Sequence, residues 1–358
     1  MVIIMKTPMS VSINMGSGCN FRCKYCFEVK NGAVEKSESI PQNVFDRIIE
    51  VLHELAEVNE LRIEFWGGEP TVYFDKIKKI ISEFYDNKDV SFFMYTNGSL
   101  VQLYKNDLLE IKEHVGRRLQ IQVSYDYHNI ENNQRIQLNH SAEETDKMVR
   151  EAIKWFDEND FYVGTKSTCT INDLEEHLFE QYLNFEKLNK ELKKKIPFAL
   201  TPDTLNVGNV DYNKMNNQFI KLIRYFLKNK EFGQTGFLWF DQPNSNADCS
   251  GGYNSFQIDL NGDVSYCHGC LYGKQDLVYT NIFEDNFLHK VDCNYLVANN
   301  MFKKNEKCSN CESIFCFRCN ALNSNGKKEH WNNSNKEDVC KLYNKISDYI
   351  KAYYKLTH

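Results

Sequence analysis

The sequence predicts an α/β protein with a parallel sheet, followed by a smaller cysteine-rich region. Six apolar, strand-like runs are each followed by a segment in which apolar residues recur at helical spacing, and this alternation continues to about residue 230. Each return to a parallel strand needs a crossover, so this order favours a parallel sheet covered by helices. After about residue 232 the helical spacing gives way to Gly, Asn, Cys and short β-like runs.

Each element is predicted from its own pattern of apolar residues. In the first helix, for example, Val44, Ile48 and Leu52 fall on one face, and Gly67-Gly68 ends the strand that follows. The expected strands are 11–14, 61–66, 90–96, 119–125, 162–171 and 197–201. The expected helices are 41–58, 74–85, 100–114, 142–159, 174–192 and 212–230.

Composition narrows the class of protein. The 358 residues are 42% hydrophobic and 26% charged, as in soluble globular proteins. The net charge of −6 and a single basic run at 187–195, with the spacing of a solvated helix face, argue against a nucleic-acid partner. Lys6 and Pro8 interrupt the apolar start, and no run reaches about 18 apolar residues, so we expect no signal peptide, no membrane span and a cytoplasmic location.

Twelve of the thirteen cysteines fall within 19–26, 249–293 and 308–340, which indicates metal ligation in a chain without an export signal. The first group is Cys19, Cys23 and Cys26. Three thiolates do not complete a four-thiolate site, but a [4Fe–4S] cluster held by three thiolates keeps one iron free to bind a small molecule. A zinc knuckle or reduced core thiols are the alternatives.

This cysteine spacing resembles that of the radical S-adenosylmethionine (SAM) superfamily. The resemblance implies a partial (β/α)6 barrel, which we place at residues 9–232. It also implies that the open iron takes the amino and carboxylate groups of SAM. One-electron reduction would then cleave SAM to methionine and a 5′-deoxyadenosyl radical.

Further motifs at the expected strand ends support this resemblance. Gly67-Gly68-Glu69-Pro70 resembles the family's GGEP motif, which engages the SAM amino group through its backbone and its Glu. Glycines let main chain approach a ligand closely, and an ammonium needs carbonyl and carboxylate acceptors. A plain tight turn is the alternative. Phe27 stands where the family places an aromatic residue near the adenine, although it could simply shield the cluster from water.

The ends of the third and fourth strands carry other family-like residues. Asn97 belongs to a Tyr-Thr-Asn-Gly run that the family often shows, and Ser124 and Asp126 match a Ser-x-Asp that reaches SAM in peptide-modifying relatives. Arg135 lies where those relatives place an arginine that holds the SAM carboxylate, although a lone loop arginine is commonly a surface residue. Trp66 stands where sulfatase-activating relatives have a Gln before GGEP. The contact that this Gln makes with SAM is therefore missing or replaced in this chain.

Residues 245–345 resemble a SPASM domain, the extension that carries auxiliary iron–sulfur clusters in many peptide-modifying relatives. By order, an outer cluster would take Cys308, Cys311, Cys316 and Cys340, and an inner cluster would take Cys249, Cys267 and Cys319. Cys270 and Cys293 are both available as the fourth inner ligand, or that iron stays open for substrate; we predict Cys270. Two middle gaps are shorter than is common in the family. A four-cysteine zinc site is the alternative.

Two further expectations concern this region. His268 follows Cys267, and a carboxylate acts as a base beside an auxiliary-cluster cysteine in sulfatase-activating relatives. His268 is therefore a candidate base, or else a hydrogen-bond donor that tunes the cluster. Residues 346–358 are expected to form a C-terminal helical tail.

Together these features predict a SAM-dependent radical enzyme with three [4Fe–4S] clusters, one that binds SAM and two auxiliary ones. Its substrate would be a peptide or protein, and a flavodoxin or ferredoxin would reduce it. The first strand is expected to begin about ten residues in, which leaves no room for a winged-helix leader-binding domain, so we expect the substrate to be recognised by the barrel, by the SPASM region or by a separate protein. The alternatives are sulfatase (formylglycine) maturation, a dehydrogenase or epimerase acting on a small molecule, and a non-catalytic iron–sulfur redox protein.

Overall fold

The structure is a computed structural model. It describes residues 6–30, 32–203, 207–242, 250–267, 278–292, 295, 311–316 and 336–357.

One nine-stranded sheet organises the described residues, with the strand order β6-β5-β4-β3-β2-β1-β7-β8-β9. Strands β1 to β6 are parallel neighbours in chain order, and β7 lies parallel to β1 on its other side. Strands β8 and β9 are added antiparallel. The strands are β1 Thr7–Asn14, β2 Asn59–Trp66, β3 Val90–Thr96, β4 Leu119–Ser124, β5 Tyr162–Cys169, β6 Leu200–Pro202, β7 Ser255–Ile258, β8 Asp263–Ser265 and β9 Val278–Asn281.

Most of the described helices connect parallel strands, and the last two of them follow β9 in the chain. The helices are α1 Phe27–Lys30, α2 Ala33–Lys36, α3 Gln42–Val58, α4 Phe74–Glu83, α5 Lys105–Val115, α6 Ala142–Glu158, α7 Leu178–Glu191, α8 Tyr212–Asn229, α9 Leu238–Asp241, α10 Phe287–Val291 and α11 Lys336–Thr357. A π-helical stretch, Asp173–His177, precedes α7.

The predicted α/β class and the six strand-then-helix units are confirmed. Because β7 rather than β6 pairs with β1, the six parallel strands form an open barrel. The main difference in the elements is the C-terminal helix, which begins at Lys336 instead of residue 346. Val339, Leu342 and Ile346 are buried at spacings of three and four, so the apolar period that holds this helix in place starts before Cys340.

The two faces of the parallel strands differ in polarity. One face buries apolar side chains such as Ile13, Ile63 and Met94 in the core. The alternate positions are half-buried or exposed and largely polar, and Ser12 and Arg62 both bond the carboxylate of Glu64 at 3.0 Å. A closed eight-stranded barrel fills its interior with branched apolar residues. This face of the open barrel is instead largely polar.

The sheet also continues across the expected boundary between barrel and cysteine-rich region. Ser10 to Ile13 of β1 pair with Ser255 to Ile258 of β7, and Asn14 donates from Nδ2 to Asp259 Oδ1 at 2.8 Å. The start of the C-terminal region is therefore attached to the first barrel strand.

No helix within the described ranges is both long enough and apolar enough to cross a membrane.

A cysteine loop and neighbouring strand ends as candidate active site

The loop after β1 brings the three predicted thiols together. Cys23 is buried, and Cys19 and Cys26 are half-buried. Burial is the main reason that the pKa of Cys19 and of Cys23 is raised to about 12; Glu69 adds to the effect at Cys19, and neighbouring thiols of the loop add to it at both. Burial also raises the pKa of Cys26. The thiols lie close enough for their charges to repel, so a bound cationic group would favour the thiolates and release protons.

A second segment holds this loop in place. The backbone N–H groups of Arg22 and Lys24 donate to the carbonyls of Ile136 and Gln134 at 2.9 and 3.0 Å, and Leu138 N–H donates to Asn20 at 2.8 Å. Phe21 forms an isolated bridge with Gln137. This pairing carries Arg135 to the cysteine loop, although 109 positions separate it from Cys26 in the chain.

The cysteine loop supplies three thiol donors. Within the described ranges, no three His, Cys, Asp or Glu side chains form a group that could hold one metal ion. A single zinc ion would draw its thiolates to within about 4 Å of one another, given Zn–S bonds of about 2.3 Å. An iron–sulfur cluster places each thiolate on a different iron. Three interacting thiols on one short loop therefore fit a cluster.

The Gly67-Gly68 turn at the end of β2 packs directly against the segment that precedes Cys19. Gly68 N–H donates to Gly16 O and Glu69 N–H donates to Gly18 O, both at 2.9 Å. A Cβ on Gly68 would lie 2.4 Å from Ser17 O, closer than any stable contact. Gly67 has a φ of +133°, which only glycine adopts without strain. The two glycines are required by this backbone contact.

Glu69 is 2% exposed, and its carboxylate accepts hydrogen bonds from other groups of the protein. Its Oε1 accepts hydrogen bonds from the backbone and hydroxyl of Thr71 and from Thr96 Oγ1 at 2.8 Å, and Oε2 accepts from Asn97 N at 2.6 Å. Burial raises the pKa of this carboxyl, and the hydrogen bonds oppose that effect. Glu69 therefore locks the end of β2 to the end of β3. Its predicted contact with the SAM amino group stays a prediction.

Asn97 links β3 to the cysteine loop. Its Nδ2 donates to Asn20 Oδ1 at 2.9 Å, and its Oδ1 accepts from the backbone and the hydroxyl of Ser99. Asn20 Nδ2 in turn donates to Ser99 Oγ at 2.8 Å. Asn20 was not identified from the sequence. Its position directly after Cys19 was the signal that could have found it.

Arg135 joins a chain of polar contacts at the same loop. Its Nη1 donates to Tyr25 Oη at 2.6 Å, and Tyr25 Oη donates to Asp126 Oδ2 at 2.7 Å. Asp126 Oδ1 accepts from the backbone of Thr168 at 2.9 Å. These contacts hold Arg135 within the site, so it is not a surface residue. Tyr25, between Cys23 and Cys26, was missed because only the cysteines of that loop were read as functional.

A small cleft lies beside this chain of contacts. The sequence-predicted residues Ser124, Asp126 and Arg135 line it together, and so does His128. His128 Nε2 lies 2.8 Å from Asp173 Oδ1, and both side chains are 1% exposed. Sequence reasoning missed this pair, because 45 residues separate the two and neither belongs to a recognisable motif.

The C-terminal cysteines are partly described. Cys267 follows β8 and is half-buried, as are Cys311 and Cys316, and Cys340 is exposed on α11. Cys311 Sγ lies 3.7 Å from Asn344 Oδ1, one helical turn after Cys340. His268 and the remaining predicted ligands lie outside the described residues, namely Cys249, Cys270, Cys308 and Cys319. For Phe27 the structure describes only its place as the first residue of α1.

Parts of this sequence are similar to known proteins. Residues 13–185 match the model of the radical SAM superfamily. The radical SAM cyclopropyl synthase TigE of Paramaledivibacter caminithermalis is 27% identical over 107 residues, which is 26% of this chain and 22% of TigE. The chain thus matches well under a third of the length of such curated relatives.

Solved structures share the fold over most of the chain. Native anSMEcpe with bound AdoMet and Kp18Cys peptide has a TM-score of 0.68 at 21% identity, covering 98% of this chain and 99% of that one. SuiB of Streptococcus suis bound to S-adenosylmethionine has a TM-score of 0.59 at 18% identity, covering 88% and 72%. These similarities confirm the expected fold.

Proposed function

We propose that this chain, whose residues 13–185 match the model of the radical SAM superfamily, cleaves SAM at Cys19, Cys23 and Cys26 and modifies a peptide or protein side chain. The observation that carries this proposal is the cysteine loop itself. Three mutually interacting thiols are held between the Gly67-Gly68 turn and the segment around Arg135. A loop built this way suits a three-thiolate cluster with one open iron.

A [4Fe–4S] cluster bound here would supply the electron that cleaves SAM to methionine and a 5′-deoxyadenosyl radical. The chain's own residues have separate tasks. Cys19, Cys23 and Cys26 bind the cluster as thiolates. The Gly67-Gly68 turn packs against the segment that precedes Cys19 and so holds the cysteine loop in place, and Asn97 and Ser124 lie at neighbouring strand ends. The polar face of the open barrel would hold the substrate beside the cluster.

A peptide substrate is favoured by the fold similarity to anSMEcpe, whose solved structure contains a Kp18Cys peptide. The similarity covers 98% of this chain, so it includes the cysteine-rich region as well as the barrel. The modification would be a crosslink, a thioether or an oxidation. Sulfatase (formylglycine) maturation is the second candidate, on the resemblance of the sequence to sulfatase-activating relatives.

We also propose that the C-terminal region binds two auxiliary [4Fe–4S] clusters, with the divisions 9–232 and 245–345 for barrel and SPASM domain. Cys311 contacts Asn344, and residues four apart on a helix share a face, so Cys311 lies on the side of α11 that carries Cys340. This supports their shared role as ligands of the outer cluster. A flavodoxin or ferredoxin would supply electrons, and a separate protein could recruit a leader peptide.

The direct test is reductive SAM cleavage by the anaerobically reconstituted protein. We expect 5′-deoxyadenosine with dithionite as reductant, and none from the Cys19→Ala/Cys23→Ala/Cys26→Ala variant. The control is Cys169→Ala, which removes a buried thiol on β5 away from the loop and should leave cleavage intact. Deoxyadenosine formation by the triple variant would refute the site assignment.

A further inference from the structure

We propose that His128 donates a hydrogen bond from Nδ1 to the carboxylate of SAM, beside Arg135, and so positions SAM for cleavage. This inference rests on the proposed function and deepens it. His128 would contact SAM directly, and Asp173 would act as a positioning residue through His128.

The ring of His128 is fixed by the pair it forms with Asp173. Nε2 lies 2.8 Å from Asp173 Oδ1. Asp173 Oδ2 accepts from the backbone N–H and the hydroxyl of Thr170, both at 2.7 Å, and Gln134 Nε2 donates to the same carboxylate. The carboxylate is therefore held from several sides. A fixed carboxylate at Nε2 sets the orientation of the imidazole and leaves Nδ1 as its only other polar atom.

Two buried donor atoms in this region lack a hydrogen-bond partner among the described residues: His128 Nδ1 and Arg135 Nε. Both side chains line the same cleft. A buried polar atom without a partner costs free energy, so such atoms mark places where a ligand or an ordered water completes the structure. Two cationic donors in one cleft favour an anion, and a carboxylate suits them.

His128 can donate from Nδ1 only as the imidazolium. The charged groups around it are Asp173 and Glu180, from the stretch before α7 and from α7 itself, and Asp126, from the loop after β4. Burial lowers the pKa of His128, but these carboxylates outweigh it and raise the pKa above its usual value. The same pairing lowers the pKa of Asp173. The ion pair is therefore retained to higher pH than an unpaired imidazolium would be.

The test compares SAM with decarboxylated SAM, which lacks the carboxylate. Binding of each ligand to the reconstituted protein is measured by equilibrium dialysis for the unmodified protein, for His128→Gln and for His140→Gln. The Gln amide can reach Asp173 but places no donor at Nδ1. His140 is an exposed histidine in the same connection and serves as the matched control.

We expect His128→Gln to weaken SAM binding about tenfold or more, the usual size of a lost charge-assisted hydrogen bond. Its affinity for decarboxylated SAM should match that of the unmodified protein. Equal losses for both ligands, or no loss for SAM, would overturn the inference. Iron content and melting temperature of the variant show whether it is folded.

The pH dependence of SAM affinity distinguishes a direct contact by His128 from a purely structural role, which would leave that dependence unchanged. SAM affinity of the unmodified protein should fall as pH rises through the pKa of His128, because the imidazolium loses its Nδ1 proton. Asp173→Asn removes the main group that raises this pKa, so the fall should move to lower pH. An unchanged midpoint in Asp173→Asn contradicts the inference. Failure of the unmodified protein to bind either ligand would instead refute the proposed function, and this role with it.

Discussion

Gly68 shows how a single missing Cβ shapes the site. Its Cα faces the carbonyl oxygens of Ser17 and Gly18, which would lie 2.4 and 2.5 Å from an added Cβ. Both of these oxygens belong to backbone that directly precedes Cys19. The cysteine loop would therefore have to move to make room for a Cβ at Gly68. The sequence predicted glycines here for ligand approach, and the structure adds that the protein's own main chain already needs them.

Gly68→Ala should therefore destabilise the fold by about 1–3 kcal/mol, the usual cost of overpacking. Displacement of the loop should also weaken iron retention at Cys19, Cys23 and Cys26. Urea unfolding and iron analysis of the reconstituted protein measure the two effects. Gly208→Ala is the control, because nothing lies within 4 Å of its Cβ position. Equal stabilities for the two variants would contradict this account.

Glu69 is the second residue whose role the structure redefines. Every described contact of its carboxylate is with Thr71, Thr96 or Asn97, where it accepts four hydrogen bonds. An amide at this position must place its NH₂ group against a protein donor in either orientation. The residue thus couples two strand ends whether or not SAM is bound.

Glu69→Gln should lower the free energy of unfolding by about 1–3 kcal/mol even without SAM or iron, because a buried donor is left unsatisfied. Denaturant unfolding of the metal-free protein is the measurement. Glu57→Gln, on the exposed face of α3, should change stability by less than about 0.5 kcal/mol. A loss confined to the SAM-bound state would mean that Glu69 acts chiefly on the ligand.

At the scale of elements, α6 borders the cleft and its start is well defined. Ser141 accepts from Glu144 N–H at 3.2 Å, and the Glu144 side chain accepts from Ser141 N–H at 2.8 Å, which forms a capping box. Thr145, Asp146 and Val149 in the next two turns line the cleft. The cap therefore fixes the helix at the end that faces the site.

Ser141→Ala should destabilise the protein by about 1 kcal/mol, as expected for loss of an N-cap. Thermal unfolding of the variant measures the loss. Ser82→Ala in α4 is the matched control, because the Ser82 hydroxyl only donates to Lys79 O within its helix. Indistinguishable melting temperatures for the two variants would show that the box contributes little here.

Element types and order were predictable because each helix and strand carries its own apolar period. β3 has the predicted bounds, Val90–Thr96, and α8 ends one residue before its predicted end. The largest difference between prediction and structure is the start of α11. The predicted start was taken from the end of the cysteine-rich region and not from the spacing of the apolar residues. Local apolar spacing is the more reliable guide, since burial of one face is what holds a helix in place.

At the scale of the whole molecule, metal content tests the proposal for the C-terminal region. Three [4Fe–4S] clusters correspond to roughly 12 iron atoms per chain after anaerobic reconstitution. The Cys19→Ala/Cys23→Ala/Cys26→Ala variant should retain about eight, since the auxiliary ligands lie elsewhere in the chain. Iron and sulfide analysis decides between this outcome and about four irons with one zinc, which would favour a structural zinc site in the C-terminal region.

The whole sheet shows how the two regions are joined. β7 pairs with β1, and Phe219 of α8 stacks on Tyr349 of α11 with ring centroids 4.2 Å apart. The first barrel strand and the last barrel helix therefore each contact the C-terminal region. Such pairings depend on residues more than 100 positions apart, which no local pattern encodes.

The sequence by itself determined the α/β class, the order of elements and the three-cysteine loop, because period and spacing are local properties of the chain. It also assigned Ser124 and Arg135 to the site through family resemblance. Only the tertiary structure joined Arg135 to Tyr25 and Asp126, turned Glu69 toward β3 and paired His128 with Asp173. Those contacts arise where strand ends and loops from distant positions meet, and burial there decides which polar atoms find partners.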